Sequence, residues 1–287
     1  HVKKSTNDLK DMMTKSNLAI GVFDSGMGGL TVLRALRSSL PQESFIYLGD
    51  TARLPYGTKS PDTVQQYAIQ MARILVERRI KALVIACNTA TTAALPYLQK
   101  MLPDMPVLGV VSPGASAAVS TTNNQRIAVL ATETTIASNA YQHLIAKQLP
   151  NAVISARSCS VLVALAEEGM VDNAVARAAL QHYLSDIEDE DTILLGCTHF
   201  PVFKSLLEGL LPDGVRLVDS AAATAIALKQ LLVENELLSH SSNVSSVRYL
   251  VTDSVKRFQS VGPIFLGQPL ANEEIELVDC IPAVNAH

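Results

Sequence analysis

KALVIACNTATTAAL, residues 81–95, is the stretch whose reading decides the fold. The short, continuous apolar run is what a strand buried on both faces requires, and it ends at Cys87. Asn88 and Thr89 follow, and TATTAALPYLQKML then takes up helical spacing. The same plan returns 110 positions later in ILLGCTHFPVFKSL, residues 193–206: an apolar run, a small residue, Cys197, a hydroxyl residue and a helical stretch. In parallel α/β sheets, ligands bind beyond the C-terminal ends of the strands, so both thiols fall where chemistry is usually found.

Working outward, strands and helices alternate. LAIGVF (18–23) reads as a strand, DSGMGG (24–29) as a glycine-rich turn and LTVLRALRSSL (30–40) as an amphipathic helix. SFIYLGD (44–50), KALVIAC and PVLGVV (106–111) supply further strands, with a helix over 61–79 and a loop carrying Pro55, Tyr56 and Gly57. The pattern restarts at RIAVLAT (126–132), followed by one helix over 133–149, a strand at 151–158, helical stretches around Glu167 and Glu168, and strands at 191–197 and 215–220. A long helix over 221–238, a polar linker SSNVSS (241–246), and a last strand and helix in VRYLVTDSVKRFQSVG complete the chain. The expected class is α/β: two similar three-layer domains with largely parallel sheets and an active site in the cleft between them. Residues 18–112 with 221–287 are expected to form the first domain, residues 113–220 the second, and residues 1–17 a flexible extension.

Composition narrows the function. With 287 residues the chain can bury a large core. A net charge of −4 without a long basic run argues against nucleic acid as a partner, and the absence of Trp weakens a stacking surface. No apolar stretch is long enough to span a membrane, and the polar N-terminal stretch has no signal-peptide core as it stands. The four cysteines, at 87, 159, 197 and 280, include no CxxC pair, so neither a disulfide scaffold nor a thiolate zinc site is expected. A reducing, cytoplasmic setting suits such free thiols.

Either cysteine alone would read as core packing, since free Cys is among the most buried residue types. Two at equivalent strand ends suit removal of a proton from one face of a carbon and its return to the other, whereas acyl transfer would need only one. A helix after each makes a lowered thiol pKa physically available. DSGMGG lacks the GxGxxG pattern, so a dinucleotide is not indicated; Asp24 suits an ammonium or the steering of a catalytic group, and Ser25 and the glycine amides suit a carboxylate. Asn88, Thr89 and Thr198 adjoin the thiols in positions to bind a carboxylate, and Thr91 and Thr92 read as helix capping. His199, two residues after Cys197, suits proton donation or tuning of the thiol, and has no metal-ligand companions in the sequence.

Four stretches in order, FDSGMGGLTVL (23–33), YLGDTARLPYG (47–57), ACNTATTAAL (86–95) and LLGCTHFPVF (194–203), resemble the glutamate racemases that work without pyridoxal phosphate, within the wider aspartate/glutamate racemase superfamily. The resemblance implies a bacterial cytoplasmic isomerase that interconverts L- and D-glutamate without a cofactor or metal and supplies D-glutamate for peptidoglycan. It implies Cys87 as the acid/base residue for the D-enantiomer and Cys197 for the L-enantiomer, assisted by Asp24, His199 and a carboxylate at Glu167 or Glu168. Ser25, Pro55, Tyr56, Gly57, Asn88, Thr89, Thr132, Thr135 and Thr198 are implied to line the substrate site, and a homodimer is among the expected states. This chain departs from the family pattern at Ser160 and Ala164, where prolines are common, at Phe200, where Tyr is usual, and in VTDSVKRF, which lacks a glycine before Asp253. An aspartate or hydantoin racemase is the alternative enzyme, and a binding protein with a degenerate site the alternative class.

Overall fold

The computed structural model describes residues 15–239 and 245–280. Most of the expected extension 1–17 and of the linker 241–246 therefore lies outside the described residues.

Two sheets carry the structure. Strands β1 (Ile20–Asp24), β2 (Phe45–Gly49), β3 (Ala82–Ile85), β4 (Val107–Gly109), β9 (Val247–Val251) and β10 (Ile275–Leu277) form one, in the order β10-β9-β2-β1-β3-β4. Strands β5 (Arg126–Ala131), β6 (Val153–Ser158), β7 (Thr192–Gly196) and β8 (Arg216–Asp219) form the other, in the order β6-β5-β7-β8. Every pairing is parallel. The central strands β1, β2, β3 and β7 are buried along their whole length, which is why they read as unbroken apolar runs.

The order β2-β1-β3-β4 is repeated by β6-β5-β7-β8. In each unit the connection reverses direction between the first and third strands, and the crevice at that switch point is the usual ligand position. The first switch point lies between the ends of β1 and β3, at Asp24 and Cys87; the second lies between the ends of β5 and β7, at Thr132 and Cys197. The similarity read from the two cysteine stretches is thus a similarity of topology.

Helices cover both faces: α1 (Leu30–Ser39), α2 (Pro61–Glu77), α3 (Asn88–Met101), α4 (Val111–Thr121), α5 (Glu133–Ala137), α6 (Ala140–Gln148), α7 (Val161–Glu167), α8 (Ala174–Leu184), α9 (Lys204–Glu208), α10 (Ala221–Glu234) and α11 (Val255–Leu266). Local chemistry sets several starts. Ser60 accepts from Thr63 N–H at the head of α2 with Pro61 as its first residue, and Asn173 accepts from Ala176 N–H at the head of α8. One apolar core, containing Leu30, Leu33, Tyr47 and Phe265 as well as Leu162, Leu195, Phe200 and Phe203, runs continuously from the first sheet's side to the second's.

Apart from β10, an edge strand beside β9 that the sequence reading lacks, three elements differ from that reading. The helix expected over 133–149 is two, because Asn139 adopts a left-handed conformation (φ 55°) that no helix continues through. The stretch after Cys197 begins as a 3-10 turn, Phe200–Phe203, before the short α9. Pro113, near which a boundary was read, lies in the first turn of α4, where proline is tolerated because its missing N–H would be unpaired anyway.

Candidate active site

The two switch points meet at one small cavity. Ser25, Pro55, Tyr56, Gly57, Cys87, Asn88, Thr89, Thr132, Cys197, Thr198 and His199, all expected from the sequence, line it together with Thr58, Ser160 and Val163. Asp24, Glu167 and Thr135 stand directly behind this lining, each bonded to one of its members or neighbours. Among the described residues no cluster of side chains could hold a metal ion, and no helix is long and apolar enough to cross a membrane.

Cys87 is the N-cap of α3, and its Sγ accepts from Ala90 N–H at 3.4 Å. The thiol is nonetheless pushed up to about 12: burial dominates and the Asp24 charge adds to it, against the smaller opposing effects of the Ala90 amide and the Ser25 hydroxyl. The lowered pKa that a helix N-terminus makes available is therefore overridden at Cys87. Asp24 is fully buried. Its carboxylate accepts from Gly26 N–H at 3.0 Å and Thr198 Oγ1–H at 3.3 Å, so it ties the turn after β1 to the loop after β7. Burial raises its pKa, and the His199 charge works against that rise.

Around Cys197 the arrangement differs. His199 Nδ1 lies 3.9 Å from Cys197 Sγ and its Nε2 lies 2.6 Å from Glu167 Oε1. Burial would lower the imidazole pKa, but the hydrogen bonds and charges of Cys197 and Glu167 outweigh it and hold His199 well above its ordinary value. A Phe265 edge packs on the ring at 5.2 Å, and a Cβ on Gly28 would stand 2.4 Å from Nδ1, so only glycine lets the turn pass this close. Of the two neighbouring acids, Glu167 is the one that faces the site. Glu168 points to solvent and pairs with Arg257.

Thr89, Thr132 and Thr135 bond to one another through their hydroxyls, Thr89–Thr132 at 2.9 Å, Thr89–Thr135 at 3.2 Å and Thr132–Thr135 at 3.1 Å, joining α3 to the end of β5 and to α5. Asn88 Oδ1 accepts from the Tyr141 hydroxyl, whereas its Nδ2 is buried without a hydrogen-bond partner in the described residues. A donor left bare at a cavity wall is one that a carboxylate can satisfy. The Pro55–Gly57 loop is held from both sides. Buried Asp50 accepts from the Tyr56 hydroxyl, Arg53 Nε–H (2.7 Å) and Thr252 Oγ1–H (2.9 Å), while Gly57 O accepts from Thr134 N–H at 2.9 Å. Sequence reasoning passed over Asp50 and Tyr141. Asp50 was legible as an acid ending a strand, but nothing in AYQHLI marked Tyr141 as more than core.

Such a site in a doubled parallel α/β frame defines the class. The chain belongs to the Asp/Glu/hydantoin racemase family, whose model matches residues 29–228. Within that family its relatives include the glutamate racemase of Geobacter metallireducens, 46% identical over 88% of this chain and 94% of that one. Solved structures agree. The glutamate racemase of Francisella tularensis in complex with D-glutamate superposes with a TM-score of 0.85 at 38% identity, covering 92% of this chain and 98% of the other. An isoform from Bacillus anthracis gives 0.86 at 36%, with the same coverage. The chain is accordingly a racemase, an isomerase, as its motifs led one to expect.

Proposed function

We propose that this racemase interconverts L- and D-glutamate by moving the Cα proton between Cys87 and Cys197. The observation that carries the reading is that the two thiols line one cavity, each from the switch point of its own sheet. One sulfur as thiolate takes the Cα proton while the other, as thiol, delivers its proton to the opposite face; the thiol and thiolate exchange places and no proton is gained or lost. The carbanion-like state draws on fixed donors in a water-poor site, namely Ser25, the free Asn88 Nδ2, the Thr89–Thr132–Thr135 hydroxyls and Thr198. His199, with Glu167 behind it, places a positive charge beside Cys197. Asp24 serves as a brace for Thr198 rather than as a wall of the cavity.

The relatives' action on glutamate and the D-glutamate bound in the Francisella tularensis enzyme support the substrate. The same reading places the enzyme in a bacterial cytoplasm, where it supplies D-glutamate for peptidoglycan. It also takes residues 18–112 with 221–287 and residues 113–220 as two domains that close on the substrate. Proton–deuterium exchange at Cα of L- and D-glutamate in heavy water, without added cofactor and with aspartate alongside, tests it. Exchange with inversion of glutamate is expected; turnover of aspartate alone, or dependence on an added cofactor, would reject it.

A further inference from the structure

The contacts that brace Cys197 reach beyond the cavity. α7 ends at Glu167, and the last four carbonyls of a helix find no partner within it. Three are met locally: Ala164 O by Glu168 N–H at 3.0 Å, Leu165 O by Met170 N–H at 2.9 Å and Ala166 O by Gly169 N–H at 3.0 Å. Gly169, at φ 70°, makes the left-handed turn that such helix ends use. The fourth carbonyl, that of Glu167 itself, accepts from Arg257 Nη2 at 2.8 Å, and the same nitrogen lies 2.9 Å from Glu168 Oε1. Arg257 comes from α11, which follows β9 of the six-stranded sheet, whereas α7 lies between β6 and β7 of the other.

Glu167 meets His199 through Oε1 alone, since its Oε2 is buried without a hydrogen-bond partner in the described residues. Among the described residues no second hydrogen bond aims this carboxylate, so its reach depends on where the end of α7 is held. The Arg257–Glu168 ion pair is exposed and contributes little by itself. The bond to the Glu167 carbonyl completes the helix end and sits on the residue that touches the imidazole.

Resting on the two-thiol reading, we infer that Arg257 is a positioning residue for the reaction. From the opposing unit it fixes the end of α7, so that Glu167 braces His199 against Cys197. The bracing of the imidazole thereby requires the two units to be closed on each other.

Steady-state kinetics on single and double variants test this. Arg257→Ala is expected to lower kcat about tenfold with KM little changed, since a small misplacement at the reacting groups is costly. Arg257→Met, which keeps the packing of the aliphatic stem, should lose as much. Arg257→Lys, which can still donate to the carbonyl, should recover most of the rate, and Glu168→Ala should match the wild type. In a Glu167→Gln background, Arg257→Ala is expected to add almost nothing, because both changes act on one contact. Losses that multiply in the double variant, or a lysine variant as slow as alanine or methionine, would overturn the inference. The two-thiol reading fails separately, through racemisation retained in both Cys87→Ser and Cys197→Ser, and that result would leave the coupling between Arg257 and Glu167 measurable.

Discussion

The surroundings of Cys87 and Cys197 occupy the same place in two copies of one topology, yet they are built differently. Cys87 heads a fourteen-residue helix, has Asp24 nearby, and is driven towards the protonated thiol by burial and by that negative charge. Cys197 is followed by only a 3-10 turn, Phe200–Phe203, and faces an imidazole whose pKa the hydrogen bonds and charges of Cys197 and Glu167 raise well above its ordinary value against its burial. Topology supplies two thiols at matched positions, and local charge makes them unlike. On the two-thiol proposal one sulfur is thiol while the other is thiolate, and unequal surroundings bear on which of the two holds the proton.

Removing either sulfur tests this comparison most severely. Cys87→Ser and Cys197→Ser are each expected to reduce racemisation at least about a thousandfold. Each variant should still exchange the Cα proton of one enantiomer without inverting it. With only Cys87 left, D-glutamate should exchange; with only Cys197 left, L-glutamate should. Mass spectrometry of each enantiomer in heavy water reads this directly, and equal exchange of both enantiomers in either variant would break the distinction between the two sides.

The next effect belongs to the Cys197 side alone. Gly28→Ala would place a Cβ 2.4 Å from His199 Nδ1 and 2.6 Å from Thr198 Oγ1. The ring cannot withdraw, held as it is by Glu167 and the Phe265 edge. A loss of about a hundredfold in kcat is expected, as for a misplaced catalytic group. Glu167→Gln is milder, about ten- to thirtyfold, but it carries a signature. The charged or titratable groups acting on His199 are Cys197, Glu167 and Asp24; with the Glu167 charge gone, the imidazole gives up its proton at lower pH. The alkaline limb of the pH–rate profile should therefore move to lower pH. An unmoved limb would mean that the protonated imidazole is not what the Cys197 side contributes.

What the sequence disclosed follows from what is local. Apolar runs betray buried parallel strands, and the echo of LVIACNTA in ILLGCTHF betrays two matched strand ends, because each feature is written in consecutive residues. The choice between Glu167 and Glu168 was not legible. Both carry the same carboxylate, and only the three-dimensional path of the α7 end turns one to His199 and the other to Arg257. Tyr141 looked like core because its ring is core; only its hydroxyl reaches Asn88, from a helix 53 residues away in sequence. α4 escaped notice because Ser112, Pro113 and Gly114 resemble a linker, although proline in a first turn costs a helix nothing. At Cys87 the reason is related: the helix N-terminus is visible in sequence, whereas the burial that outweighs it is not.

The smallest effect asks whether the Cys197 unit can be weakened without touching its chemistry. Asp191 precedes β7 at the end opposite Cys197, and its carboxylate accepts from Thr122 Oγ1–H (2.6 Å), Asn123 N–H (2.6 Å), Asn124 N–H (2.8 Å) and Thr192 Oγ1–H (2.8 Å). Burial would raise its pKa, but these bonds prevail and hold it at about 2, below the ordinary 3.8. A depressed carboxylate stabilises the fold above its unfolded pKa, and that contribution fades as pH falls from the ordinary value towards the folded one. Asp191→Ala should therefore cost about 1–2 kcal/mol in denaturant melts at neutral pH, with the gap from wild type closing towards pH 2. Its kcat should be unchanged. A matching loss of kcat would show that β7 transmits disorder along its length to the sulfur, and that the Cys197 side depends on the stability of its unit as well as on His199 and Glu167.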